Sequence, residues 1–146
     1  HGCAVAIAAA ATIVSNAEAA LWTGAAAGDE YSTAGNWNDG LVPASNSTQD
    51  INGAFTVDRS VDSLAGRTFV SGGATMNVTT GTHNDNRSGS TIRNFIGRGS
   101  TGTVNQSGGD YLIGHLLSIG GGGANGNGAY YLTDGSLTLY RGSNSI

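Results

Sequence analysis

The chain has 146 residues, a formal charge of −4, 25 glycines, six arginines and no lysine. Charged residues make up 11% of it, under half of the roughly 25% usual for globular domains. An acidic chain with its arginines spread along the sequence offers no basic stripe for phosphates, which argues against non-specific nucleic-acid binding. Those arginines read as solvated surface groups.

Residues 1–19 read as an export signal that has lost its charged start. The apolar run from Ala4 to Val14 is shorter than the roughly 20 residues a membrane span needs. Ala17-Glu18-Ala19 follows it as an A-x-A cleavage pattern, so a signal-peptide helix precedes a mature start at Ala20. The expected location is therefore extracellular or on the cell surface, with no membrane span in the mature part. Cys3, the single cysteine, would leave with the signal. No disulfide or cysteine metal site then remains, and stability must come from a stacked ladder with an apolar interior.

Residues 20–69 are expected to form an N-terminal cap and the first coils. Trp22 and Trp37 suit a cap over an otherwise open strand edge. Asp39-Gly40 marks a turn, and Pro43, the one proline, suits a loop or exposed edge. Asp50-Ile51, Ala54 to Val57 and Ser60 to Leu64 alternate apolar with polar residues, as half-buried strands do.

Residues 70–146 read as repeats that continue beyond a fragment of a longer exported protein. Ile96-Gly97 and Ile119-Gly120 lie 23 residues apart, while Gly109 and Gly135 lie 26 apart. The three extra residues are expected in the loop between Gly120 and Gly128, where insertion disturbs least. Short strands punctuated by glycine at this period predict an all-β parallel β-helix, or β-solenoid, of about five coils roughly 4.8 Å apart. Met76, Val78, Ile96, Val104, Tyr111, Ile113, Ile119, Tyr130, Leu132, Leu137 and Leu139 form the expected inward stack. Ser71-Gly72-Gly73 and Ser107-Gly108-Gly109 read as the same corner in successive coils.

Trp22-Thr23-Gly24, Asn36-Trp37, Val42-Pro43, Phe55 to Asp58 and Ser60 to Leu64, followed by Ile96-Gly97 and Gly102 to Gly109, resemble exported bacterial β-solenoid proteins. These carry autotransporter-associated β-strand repeats and often end in a PEP-CTERM-type sorting tail or an outer-membrane translocator. The resemblance covers residues 20–146. It implies a surface or matrix component and implies no particular activity. Tyr31 stands where the pattern would have tryptophan, a departure confined to the cap.

The sequence carries few chemical signatures. Asp58 and Asp62 share a polar face, but glycoside hydrolysis needs two carboxylates poised across a sugar; they read as solvated strand-edge charges. Asp110 and Asp134 adjoin glycines as turn residues. Gly120 to Gly123 lacks the aspartates of a calcium roll and the Lys-Ser/Thr of a phosphate loop. His83 and His115 have no partners at ligand spacing and read as surface residues. No metal, cofactor or catalytic residue is expected. Tyr131 and Trp37 are the candidates for stacking on a sugar ring. The expected function is a non-catalytic stalk, adhesin or extracellular-matrix component whose partners would be extracellular polysaccharide or cell-surface components. The alternative is a carbohydrate-active β-helix enzyme or polysaccharide-binding module.

Overall fold

The computed structural model describes residues 19–44, 47–85, 93–114 and 116–139. The expected signal segment falls almost wholly on residues 1–18, and His115 and Tyr140 are also outside the described residues. Within them the chain is a parallel β-solenoid of about four turns, fewer than the five expected from length. Residues 20–44 explain the difference, because they fold into a cap instead of a coil.

The cap holds β1 (Ala20–Leu21) and a short 3-10 turn (Ala34–Asn36). Its centre is aromatic. Trp37 meets Trp22 and Tyr31 edge-on, each with centroids 5.1 Å apart, and all three rings are buried. Asn36, also buried, ties the surrounding loop by accepting from Ala26 N–H and donating to Gly28 O.

Each coil then runs across three faces. The first coil holds β2 (Thr48–Asn52), β3 (Thr56–Arg59) and β4 (Ser63–Ala65); the second holds β5 (Arg67–Ser71), β6 (Ala74–Val78) and β7 (Thr82–Asp85). The third holds β8 (Arg93–Ile96) and the long β9 (Thr101–Ile113), and the fourth β10 (Leu116–Ile119) and β11 (Asn127–Leu139). β1, β2, β5, β8 and β10 pair in parallel as one face. β9 bends and serves the other two faces, its first half pairing with β6 and its second with β7. β11 follows β9 along its whole length.

The register puts like on like. Ile51, Val70, Ile96 and Ile119 stack on the first face, and Val57, Met76, Val104 and Tyr130 on the second. Burying each aliphatic side chain in such a column contributes about 1.5–3 kcal/mol. The expected inward set is buried through Ile113. Ile119 and Leu132 remain 41% and 49% exposed, since they lie in the last described coil and no described strand covers them. Asn94 pairs with Leu117 and Ile96 with Ile119. The loop before β11 has seven residues against four before β9, so the expected insertion lies where the repeat placed it.

The corner assignment needs correcting. Ser71-Gly72-Gly73 joins the first face to the second, whereas Ser107-Gly108-Gly109 joins the second to the third. The true counterpart of Gly109 is Gly81 below and Gly135 above, because Thr82 pairs with Asp110 and Asp110 with Ser136. The coil step is 19 residues from Thr56 to Thr75, then 28 to Thr103, so equal sequence motifs do not fall on equal corners.

Gly109 has φ +68°, and a Cβ there would lie 2.6 Å from Gly81 O. Gly99 has a similar φ of +65° but open space around it. Gly109→Ala is therefore expected to destabilise the fold by about 2 kcal/mol or more, and Gly99→Ala by about 1 kcal/mol. Urea denaturation of both variants measures this; equal losses would show that the stacked corner imposes no steric demand.

Candidate functional site

Strand alternation carries Arg59, Ser63, His83 and Asp85 into the lumen. Val57 and Arg59 share one side of β3, Ser63 and Ala65 one side of β4, and His83 and Asp85 one side of β7. Arg59 and His83 are fully buried, which corrects the expectation that both lie on the surface. The period of two is physically stronger than the general preference of charge for water, provided each charge finds partners.

They do find partners. Arg59 Nη2 lies 3.3 Å from Asp85 Oδ1, and Arg59 donates twice more to Ser63 Oγ, from Nε at 3.0 Å and Nη2 at 2.5 Å. Its guanidinium carbon sits 4.7 Å from the Tyr31 ring centroid and 5.2 Å from that of Tyr111. Asp85 Oδ2 also accepts from the hydroxyls of Thr68 and Tyr111. Burial, the largest single influence, would lower the Arg59 pKa, but the Asp85 carboxylate together with neighbouring Tyr111 and Tyr31 outweighs it and holds the guanidinium charged. Burial, reinforced by Asp85, pushes the Tyr111 phenol well up, so it stays a neutral donor.

His83 completes the cluster. Its Nε2 lies 2.7 Å from Thr80 O, which can only accept, so Nε2 carries the proton. Nδ1 then accepts from Ser63 Oγ at 2.8 Å, leaving that oxygen's lone pairs to Arg59. Burial and the Arg59 charge lower the His83 pKa to about 4. Ser63 and His83 thus have the spacing of a nucleophile and its base, yet both are buried and every polar atom of the pair is engaged within the lumen. The described residues hold no group of three or more His, Cys, Asp or Glu side chains placed to bind a metal.

No protein-family model, curated protein or solved structure matches this chain. The geometry therefore stands alone. Of the two sequence-derived sugar-stacking candidates, Tyr131 lies on the outside of β11 and is 59% exposed. It heads an outward row formed with Asp58, Asn77 and Asn105. The row is bonded along its length: Asn105 Nδ2 donates to Asn77 Oδ1 and Asn77 Nδ2 to Asp58 Oδ1. Trp37 does not join it. Its ring is 3% exposed and its indole N–H donates to Tyr31 O at 2.9 Å, so it presents no face to a sugar; the two residues are not one site. Asp62 is exposed, with Oδ1 accepting from Thr82 N–H, while the Asp58 carboxylate belongs to the amide row. Asp110 accepts from Ser136 Oγ, and Asp134 bonds the backbone of Gly135, as expected of a turn residue. An open groove of about 710 Å³ lies outside β4 and β7, edged by Val42, Pro43, Leu64 and Asn84.

Removing one partner of a buried ion pair costs about 3–5 kcal/mol, so Arg59→Met and Asp85→Asn are each expected to destabilise by that order. The double variant should lose less than the sum by more than about 1 kcal/mol, measured by a double-mutant cycle in urea; additive losses would dissolve the pair's claimed coupling. His83 gives a pH signature. Its folded pKa of about 4 lies below the ordinary 6.5, so the unfolded chain binds a proton first as pH falls. Stability from the neutral imidazole is present above pH 6.5 and lost towards pH 4. His83→Gln is expected to flatten the melting-temperature profile over that window, and an unchanged slope would count against it.

Proposed function

We propose that this chain is a rigid, non-catalytic part of an exported or cell-surface protein, serving as a stalk, adhesin or extracellular-matrix scaffold. One observation carries the reading: the groups best suited to acid–base or nucleophilic work, Ser63, His83, Asp85, Arg59 and Tyr111, are sealed inside the coil and bonded to one another. Their role there is to hold coils together. The export pattern around Ala17-Glu18-Ala19 and the repeat resemblance to autotransporter-associated solenoids support an exported location. Fold class by itself assigns no activity. A second reading, a polysaccharide-binding module, draws on the exposure of Tyr131 at the end of its amide row.

Two measurements test the first reading. Fractionation of the producing cells is expected to place the chain in the medium or on the surface, accessible to added protease; confinement to the cytoplasm would overturn it. Incubation with polyuronates and β-glucans is expected to release no reducing ends. Release that disappears in Asp58→Asn would establish an enzyme instead.

A further inference from the structure

Arg67-Thr68-Phe69-Val70 and Arg93-Asn94-Phe95-Ile96 repeat an Arg-x-Phe-aliphatic pattern. The fold sets the two copies side by side on the first face, with Phe69 opposite Phe95 and Val70 opposite Ile96. Val70 and Ile96 point into the lumen, so the arginines and phenylalanines point outwards. The two rings meet at 5.5 Å and 62°. Arg98 then folds back over the pair, its guanidinium carbon 5.2 Å from each ring centroid, while that of Arg67 lies 4.8 Å from Phe69. Between them these side chains reduce the exposure of outward-facing Phe69 to 8%.

Position turns this into a charge anomaly. The whole chain is acidic, yet every described arginine outside the lumen lies on this one face: Arg67, Arg93 and Arg98. Asp50, in register with Phe69, is the one carboxylate among the strand residues of the face. Burial raises its pKa and the nearby Arg98 opposes that rise. Arg93 and Arg98 are exposed and flank Phe95. Arg93 and Arg98 thus bracket Phe95 with positive charge on a face otherwise poor in carboxylates, which suits an anion lying along it. A guanidinium stacked on a ring still presents its in-plane N–H groups, in a fork that matches a carboxylate or sulfate.

We propose that the outer Arg67–Phe69 and Arg93–Phe95–Arg98 strip binds an acidic polysaccharide. Its carboxylates or sulfates pair with Arg93 and Arg98 while a sugar face packs against Phe95. The inference names a partner for the exported scaffold and rests on that reading for where such a polymer is met. Its test is a binding measurement, independent of the localisation experiment, so either can fail alone.

Affinity electrophoresis of the full chain through gels containing polygalacturonate, alginate or neutral dextran is the experiment. Retardation is expected in the two polyuronates, weakening as NaCl is raised from about 50 to 500 mM, and absent in dextran. Arg93→Gln/Arg98→Gln is expected to weaken binding about tenfold or more, with a melting temperature close to the parent's. Arg98→Lys, which keeps charge but loses the fork, should bind between the two. Tyr131→Ala, on another face, should bind as the parent does. The proposal is overturned if the parent runs unretarded in both polyuronates or if a folded double glutamine variant binds unchanged. It also falls if Tyr131→Ala loses as much as the double variant, or if a single-stranded oligonucleotide binds more tightly than polygalacturonate.

Discussion

A guanidinium sealed inside a narrow β-solenoid is the constraint on which the remaining architecture turns. Moving such a charge out of water costs several kcal/mol unless its partners are already in place. The partners of Arg59 come from everywhere around it. Ser63 belongs to the same coil, Asp85 to the second, Tyr111 to the third and Tyr31 to the cap. Asp85 in turn gathers Thr68 from the first face and Tyr111 from the third. One cation therefore requires all three faces, three successive coils and the cap to be in register together. A slip of one residue on β3 would send Arg59 outwards and Asp58 inwards, leaving Asp85 buried without its cation. Aliphatic columns alone tolerate sliding; this network does not.

That requirement also separates inside from outside chemically. The lumen takes Arg59, His83 and Asp85 and engages them with one another and with Ser63, Thr68 and Tyr111. The second face shows a bonded amide row, Asp58–Asn77–Asn105, continued by Tyr131. The first face shows arginine on phenylalanine. Rod-like proteins in which each coil contacts only its neighbours present long, regular surfaces of this kind.

Much of this could be read from the residues, and what could not has physical causes. The echo of Ile96-Gly97 in Ile119-Gly120 and of Gly102 in Gly128 locates two coils, and the observed pairing follows it except for register shifts between Leu132 and Ser136. The Ser-Gly-Gly pairing misled because the first coil step is 19 residues and the next 28: similar letters met different corners. The usual cost of burying charge favours the surface for Arg59 and His83. Yet Thr56-Val57-Asp58-Arg59 already alternates, and if Val57 faces inwards so must Arg59. The local period outranked the residue's preference because partners at Ser63 and Asp85, 4 and 26 positions away, are invisible to a local reading. Trp37 as a sugar platform failed for a related reason, since the cap needs its ring between Trp22 and Tyr31 more than the surface does. The arginine strip was legible in principle, as Arg67-Thr68-Phe69 and Arg93-Asn94-Phe95 stand one coil step of 26 residues apart.

The two arginine environments, inside and out, rest on the same contact and differ in one respect. In both, the flat guanidinium lies near aromatic rings within about 5 Å, a contact worth roughly 0.5–2 kcal/mol according to its exposure. In the lumen the edge of Arg59 is also occupied, by Asp85 and Ser63, so the group can do nothing but hold the fold. On the outer face, Arg98 lies over both rings and is itself exposed. The Phe69–Phe95 pair thereby gains a cover that keeps an apolar patch from sticking indiscriminately to other surfaces. The same cover turns the face into a directional anion receptor. A lysine in its place would screen the rings less well and would offer a single point of charge without a fork, which gives a physical reason for a face built on arginine in a chain that contains no lysine at all.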